Sequence, residues 1–154
     1  MKISILLPYK ENYSPTYAGA VSLFVNSTSK ISKYKKNITV YGSTDYYKKL
    51  SNNYENIDLS KRFLVSQSRV YVNKFLEIQK KAKPNIIEVH NRPIYINDLI
   101  KLKTNIVLYF HNDPITMVGS KSVNERVFLL KTCSKIIFNS TWSKKKFLTK
   151  LDKF

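Results

Sequence analysis

Ile86-Ile87-Glu88-Val89-His90-Asn91-Arg92-Pro93 and Ile106-Val107-Leu108-Tyr109-Phe110-His111-Asn112-Asp113-Pro114 share one pattern: a short apolar run reaches His-Asn and is then closed by proline. Apolar runs that are continuous or nearly so, rather than strictly alternating, suit parallel strands covered on both faces. Runs of the same kind occur at Ile3–Leu7, Ile38–Tyr41 and Ile136–Phe138, with a weaker one near Ile57–Leu59. The fold follows from what lies between them.

Helical periodicity fills the gaps. Val21, Phe24, Val25 and Thr28 mark one face of a helix after the first strand. Tyr71, Phe75, Ile78 and Ala82 mark another before the strand at Ile86. Ser122-Val123-Asn124-Glu125 has capping-box spacing, in which a hydroxyl and a carboxylate each serve the other's backbone N–H, and it opens a helix with Val123, Val127 and Leu130 on one side. Ser140 stands where it caps a last helix, with Phe147, Leu148 and Leu151 inward and Lys144, Lys145, Lys146 and Lys150 toward solvent. Pro84 stops the chain before Ile86, and Pro93 opens the next helix, where its missing N–H is not needed. Strands alternating with helices through right-handed crossovers predict an α/β, Rossmann-like doubly wound parallel sheet with helices on both faces, one domain over 1–154.

Composition bounds the function. The chain is 43% apolar and 13% aromatic over 154 residues, which reads as a globular domain. No apolar run reaches the roughly 18 residues of a membrane span. Met1–Pro8 is too short an apolar stretch for a secretory signal. The single cysteine, Cys133, has no internal disulfide partner and reads as a buried thiol on a helical stretch. A reducing compartment is therefore expected, in the cytoplasm or at the inner face of its membrane. Twenty-seven basic residues against ten acidic ones give a net charge of +17. A field of that sign attracts polyanions or an anionic membrane surface. The abundance of Lys, Asn, Ile and Tyr reads as A+T-rich coding, which accounts for many lysines but not for the scarcity of Asp and Glu. Nucleic acid is a poor fit, because the aromatic residues do not form a stacking pattern among the basic ones.

In open α/β sheets ligands bind outside the carboxyl ends of the strands. The segments there are Pro8 to Gly19, His90-Asn91-Arg92-Pro93, His111-Asn112-Asp113-Pro114, and Asn139-Ser140-Thr141. Both histidines of the chain fall on this edge. Gly19 leads into the first helix, where a missing side chain lets backbone N–H groups approach a phosphate, or it is simply a turn glycine. His90, Asn91 and Arg92 offer an imidazole, an amide and a guanidinium for hydroxyls and anions, or else form a polar strand exit. His111, Asn112 and Asp113 suit sugar hydroxyls, or an Asx turn closed by Pro114. Asn139 and Ser140 are a further cleft candidate. No zinc-type cluster, Walker loop or GxSxG elbow occurs, so no metal is expected.

These stretches together resemble the N-terminal domain of family-4 glycosyltransferases, which have the GT-B fold. The matching segments are Lys2–Pro8 with Tyr17-Ala18-Gly19-Ala20-Val21, Pro84–Pro93, Ile106–Pro114 and Lys135–Lys144. The resemblance implies two facing Rossmann domains, with acceptor bound mainly by the first and nucleotide sugar mainly by the second. It implies that Gly19, Asn112 and Asp113 lie on the donor side, that His111 is the catalytic histidine near the transferred sugar, and that His90, Asn91 and Arg92 lie on the acceptor side. The partners it implies are a nucleotide-sugar co-substrate, a sugar or lipid-linked acceptor, and a C-terminal Rossmann domain in cis or in trans; no other cofactor is implied, and transfer with retention is typical of the family. This chain has Ala18-Gly19-Ala20 where the family often has two adjacent glycines, and it lacks the family's pair of glutamates spaced eight apart. The expectation is therefore a half that transfers little sugar alone. The alternative is a non-catalytic basic module for anionic membrane or nucleic acid.

Overall fold

The computed structural model describes residues 1–59 and 66–151. Six strands, β1 (Ile3–Leu6), β2 (Ile38–Gly42), β3 (Tyr54–Asn56), β4 (Ile86–His90), β5 (Asn105–Phe110) and β6 (Lys135–Phe138), form one sheet in the order β3-β2-β1-β4-β5-β6. Every pairing is parallel. The chain starts in the middle, builds outward to β3, then returns to build the other half from β4. This is the doubly wound order, with its switch point between β1 and β4. The fold is the one the apolar runs predict.

The helices are α1 (Ala20–Ile31), α2 (Gln67–Ala82), the short α3 (Ile96–Leu99), α4 (Val123–Thr132) and α5 (Thr141–Leu148). Successive strand residues point to opposite faces, so the register sorts the core in two. On one face Val21 and Val25 of α1 pack on Ile5, Leu7, Ile38 and Val40. On the other, Tyr71 and Phe75 of α2, Leu99 of α3, Leu129 of α4 and Phe147 of α5 cover Leu6, Tyr41, Ile87, Val89, Leu108 and Phe110. One helix thus serves the first face and four serve the second. Over β4–β6 the α1 face is only half-buried at Glu88, Val107, Tyr109 and Ile137. A groove of about 230 Å³ runs there, with Phe24, Glu88, Tyr109 and Ile137 in its walls.

Local signals act as expected at the caps. Ser122 and Glu125 make both halves of the capping box, and Ser140 Oγ accepts from the Ser143 N–H. Pro93 opens a 3₁₀ turn (Pro93–Tyr95) that runs into α3. Lys83 ends α2 in the left-handed conformation at φ 49°, just ahead of Pro84.

Some sequence expectations fail for identifiable reasons. The weak strand near Ile57–Leu59 lies earlier, at Tyr54–Asn56, because an edge strand exposed on one side needs no apolar run. Ile57 is instead a core residue just past the strand end, its N–H bonded to the Gly42 carbonyl. Thr28 faces solvent, its hydroxyl turned back onto the carbonyls of Phe24 and Val25, and the buried flank of α1 carries Ser22, Asn26 and Ser29. Leu130 and Leu148 are exposed, and Leu129 and Phe147 take the buried positions. Cys133 is the C-cap residue of α4 rather than part of its body, and burial pushes its thiol up to about 12. Lys146 is half-buried, with its ammonium 5.5 Å from the centre of the Trp142 ring.

Candidate functional site

The loop after β1 is the first part of the rim. Lys10 and Tyr17 hold left-handed backbone at φ 66° and 55°, which costs energy for residues bearing a Cβ and is offset by the loop's own bonds. The Asn12 amide donates to the Thr16 and Tyr17 carbonyls and accepts from the Thr44 hydroxyl. Gly19 is the N-cap of α1 in extended conformation, so its value lies in its missing side chain rather than in a special φ. A Cβ there would collide with the Glu11 carboxylate. Oε1 of that carboxylate accepts from the Ser22 N–H at 3.0 Å. The helix N-terminus that was expected to take a phosphate is therefore occupied by a carboxylate of the chain itself, an arrangement the positive end of the helix dipole favours.

The second part lies across the switch point, at the ends of β4 and β5. Glu88, His90, Tyr109 and His111 fall on one face of the sheet, because β4 residues two apart share a face and His90 registers with Tyr109. Glu88 Oε1 is 2.7 Å from His90 Nε2, and His90 Nδ1 is 2.8 Å from His111 Nε2. The rings stack: Tyr109 on His111 at 4.5 Å and His90 on His111 at 5.1 Å, with Phe24 of α1 meeting His111 edge-on at 4.9 Å. His90 has no exposed surface, His111 is half-buried, and the Glu88 side chain keeps 26% of its exposure.

Backbone geometry fixes His111. Asn91 adopts φ 52°, a left-handed conformation Asn tolerates better than most residues, and this turns its side chain so that Oδ1 accepts from the His111 N–H at 2.7 Å. The Asn139 amide, arriving from the end of β6, donates to the His111 carbonyl at 2.6 Å. Burial, and then the neighbouring His90 charge, lower His111 from an ordinary 6.5 to about 4, while Glu88 pulls the other way. Burial, and then Glu88, raise the Tyr109 phenol.

The structure thus joins His90, Asn91, His111 and Asn139 in one cluster. The other expected residues do local work. The Arg92 guanidinium donates to the Asn91 carbonyl, Asp113 caps a 3₁₀ turn through the Ile115 N–H, Ser140 caps α5, and Asn112 is exposed. A separate cavity of about 660 Å³ opens at the ends of β1–β3, with Tyr9, Lys10, Asn12, Thr44 and Asp45 in its wall. Glu88, Glu11, Tyr109 and Phe24 are site residues not singled out from the sequence. Glu88 had a usable signal, because a carboxylate two positions before a strand histidine shares its face. Among the described residues no cluster of three or more His, Cys, Asp or Glu side chains is arranged to hold a metal.

No family model matches the chain, and no curated protein matches it. Among solved structures it is similar to the UDP-GlcNAc 2-epimerase from Methanocaldococcus jannaschii, with a TM-score of 0.52 and 14% identity over 99% of this chain and 43% of that one. It also overlaps a UDP-glucosyltransferase from Polygonum tinctorium, described as capable of glucosylating indoxyl, with a TM-score of 0.42 and 11% identity over 75% of this chain and 30% of that one. The chain spans less than half the length of either protein. At 14% identity the likeness to the epimerase is one of fold, a Rossmann-like α/β sheet.

Proposed function

We propose that this chain is the acceptor-side half of a nucleotide-sugar-dependent glycosyltransferase of GT-B type, similar to family 4, and that it transfers little or no sugar without a second Rossmann domain. The observation that carries the reading is the convergence of the β1 loop and the His90–His111 pair on one rim at the β1/β4 switch point, where doubly wound sheets bind their ligands. His111 is the group presented to a sugar. The separate 660 Å³ cavity at the β1–β3 end of the same rim is large enough for a saccharide, and Arg92 and Asn112 adjoin the two histidines in sequence. Such a half lacks stabilisation for the charge that develops on a departing diphosphate, and one wall of a cleft neither excludes water nor fixes two substrates.

A mass-spectrometric assay with a panel of sugar nucleotides tests this. Residues 1–154 alone should give no turnover, and a complementing C-terminal Rossmann domain should restore it. Robust turnover by 1–154 alone removes the half-enzyme reading. No chemical-shift change at His111 with any sugar or sugar nucleotide removes the site.

A second reading accompanies it. Helix α5 exposes Trp142 together with Lys144 and Lys145, an aromatic and basic surface of the kind that anionic lipid headgroups attract. Flotation with anionic vesicles, lost at high salt and absent with neutral vesicles, would support a membrane-bound acceptor. Equal recovery with both vesicle types would remove it.

A further inference from the structure

We infer that Glu88 and His90 form a proton relay behind His111, so that His111 accepts the proton of a ligand hydroxyl through Nδ1 and the resulting positive charge settles on His90 beside Glu88. The inference deepens the glycosyltransferase reading and rests on it only for the identity of the hydroxyl.

The tautomers follow from the contacts. A carboxylate only accepts, so the 2.7 Å contact to Glu88 places a hydrogen on His90 Nε2. Neutral His90 then has a bare Nδ1, and its partner at 2.8 Å, His111 Nε2, must carry the hydrogen between them. His111 is left with its lone pair on Nδ1, which no group among the described residues engages. The outward nitrogen of the neutral cluster is therefore an acceptor, oriented by Tyr109 and Phe24 and held by Asn91 and Asn139.

A lone His111 would hold a proton poorly, being partly desolvated and next to another imidazole. The relay removes that difficulty. When a hydroxyl proton arrives at His111 Nδ1, the Nε2 proton passes to His90 Nδ1. His90 becomes the imidazolium, fully buried and 2.7 Å from a carboxylate, where the low local dielectric strengthens the attraction. Two imidazoliums in contact repel, so the pair takes up one proton as a unit. In the transfer itself the hydroxyl oxygen bonds to the glycosyl carbon as its proton leaves. The bond from that carbon to the diphosphate oxygen breaks, and the electron pair departs with the diphosphate of the nucleotide sugar. Glu88 and His90 do not touch the ligand, so they are positioning residues for His111.

The chain contains two histidines, so ¹⁵N-imidazole NMR of ligand-free 1–154 reads both directly. At neutral pH both should be Nε2–H tautomers. On acidification the first proton should appear at His90 Nδ1 as His111 switches to its Nδ1–H form. A neutral-pH Nδ1–H tautomer at His111, or two independent titrations, would overturn the relay. Glu88→Gln keeps an oxygen for the Nε2–H but removes the charge, and should weaken the first proton's binding by about tenfold or more. An unchanged titration in that variant would also overturn it, and if the variant does not fold, the wild-type tautomers decide alone. With a complementing second domain, Glu88→Gln should lower kcat with KM unchanged. If the tautomers are as stated but no sugar nucleotide or sugar perturbs His111, the relay stands and the glycosyltransferase reading fails.

Discussion

The two faces of the sheet over β4 and β5 are built to opposite specifications. On the face covered by α2–α5, Ile87, Val89, Leu108 and Phe110 have no exposed surface and belong to the main apolar cluster. On the α1 face the intervening residues are Glu88, His90, Val107 and Tyr109, all but Val107 polar or aromatic, and all but His90 half-buried. The backbone is shared, so the difference comes from alternation alone: one face buries enough apolar area to hold the fold, which frees the other to carry ionisable groups. Stability and chemistry are therefore separable here one residue apart.

Substitutions at neighbouring positions can break that comparison. Leu108→Ala should cost about 2–5 kcal/mol through lost burial and the cavity left behind, while Val107→Ala should cost about 1 kcal/mol or less. Equal losses in urea denaturation would show that the α1 face is as structural as the other. Next in size is Asn91, which joins the two histidine strands. Asn91→Ala should cost about 2 kcal/mol, from an orphaned His111 N–H and a left-handed alanine, and Asn91→Gly should recover about 1 kcal/mol of that by relieving the backbone. Equal melting temperatures for the two variants would mean that the backbone at residue 91 relaxes away from φ 52°.

At the other end of α1, Gly19→Ala meets no backbone obstacle and collides only with the Glu11 carboxylate. It should cost about 1 kcal/mol, the worth of an anion at a helix N-terminus, and the cost should vanish when Glu11→Ala is already present. Additive losses in that cycle would separate the two residues. The smallest signal is a slope with pH. His111 is held near 4 in the folded chain against 6.5 in the unfolded one, so the unfolded chain binds the proton first as pH falls. The stability His111 supplies is whole above 6.5 and is lost between about 6.5 and about 4, with Glu88, His90 and Tyr109 as its facing neighbours. His111→Asn should flatten the urea midpoint across that window, and a profile unchanged in that variant would assign the slope to other groups.

Much of the architecture was legible because long-range order here repeats a local signal. Each of the five clear apolar runs holds a strand, each ends in polar residues, and parallel winding brings those ends to one edge without further information. Helix phase was less legible. Over the short helices α4 and α5 a one-residue error in the apolar stripe exchanges Leu129 for Leu130, or makes Leu148 look like a partner of Phe147. In α1 the polar residues Ser22, Asn26 and Ser29 take buried positions that a hydrophobic pattern assigns elsewhere. At the site, the histidines stood out as rare residues at strand ends, whereas their support did not. Glu88 looked like an interruption of an apolar strand, and Glu11 reaches α1 by folding back across a loop, a contact with no sequence period.

The Glu11 carboxylate over Gly19 has a consequence for any anion reaching that helix end from solution. Such a ligand competes with a group on the same loop that cannot diffuse away, and whose effective concentration is on the order of millimolar or above. Its apparent affinity is the intrinsic one scaled by the fraction of time Glu11 is displaced. A multiply charged phosphate can outbid a single carboxylate there where a monoanion cannot, so the loop filters by charge before any side chain reads shape.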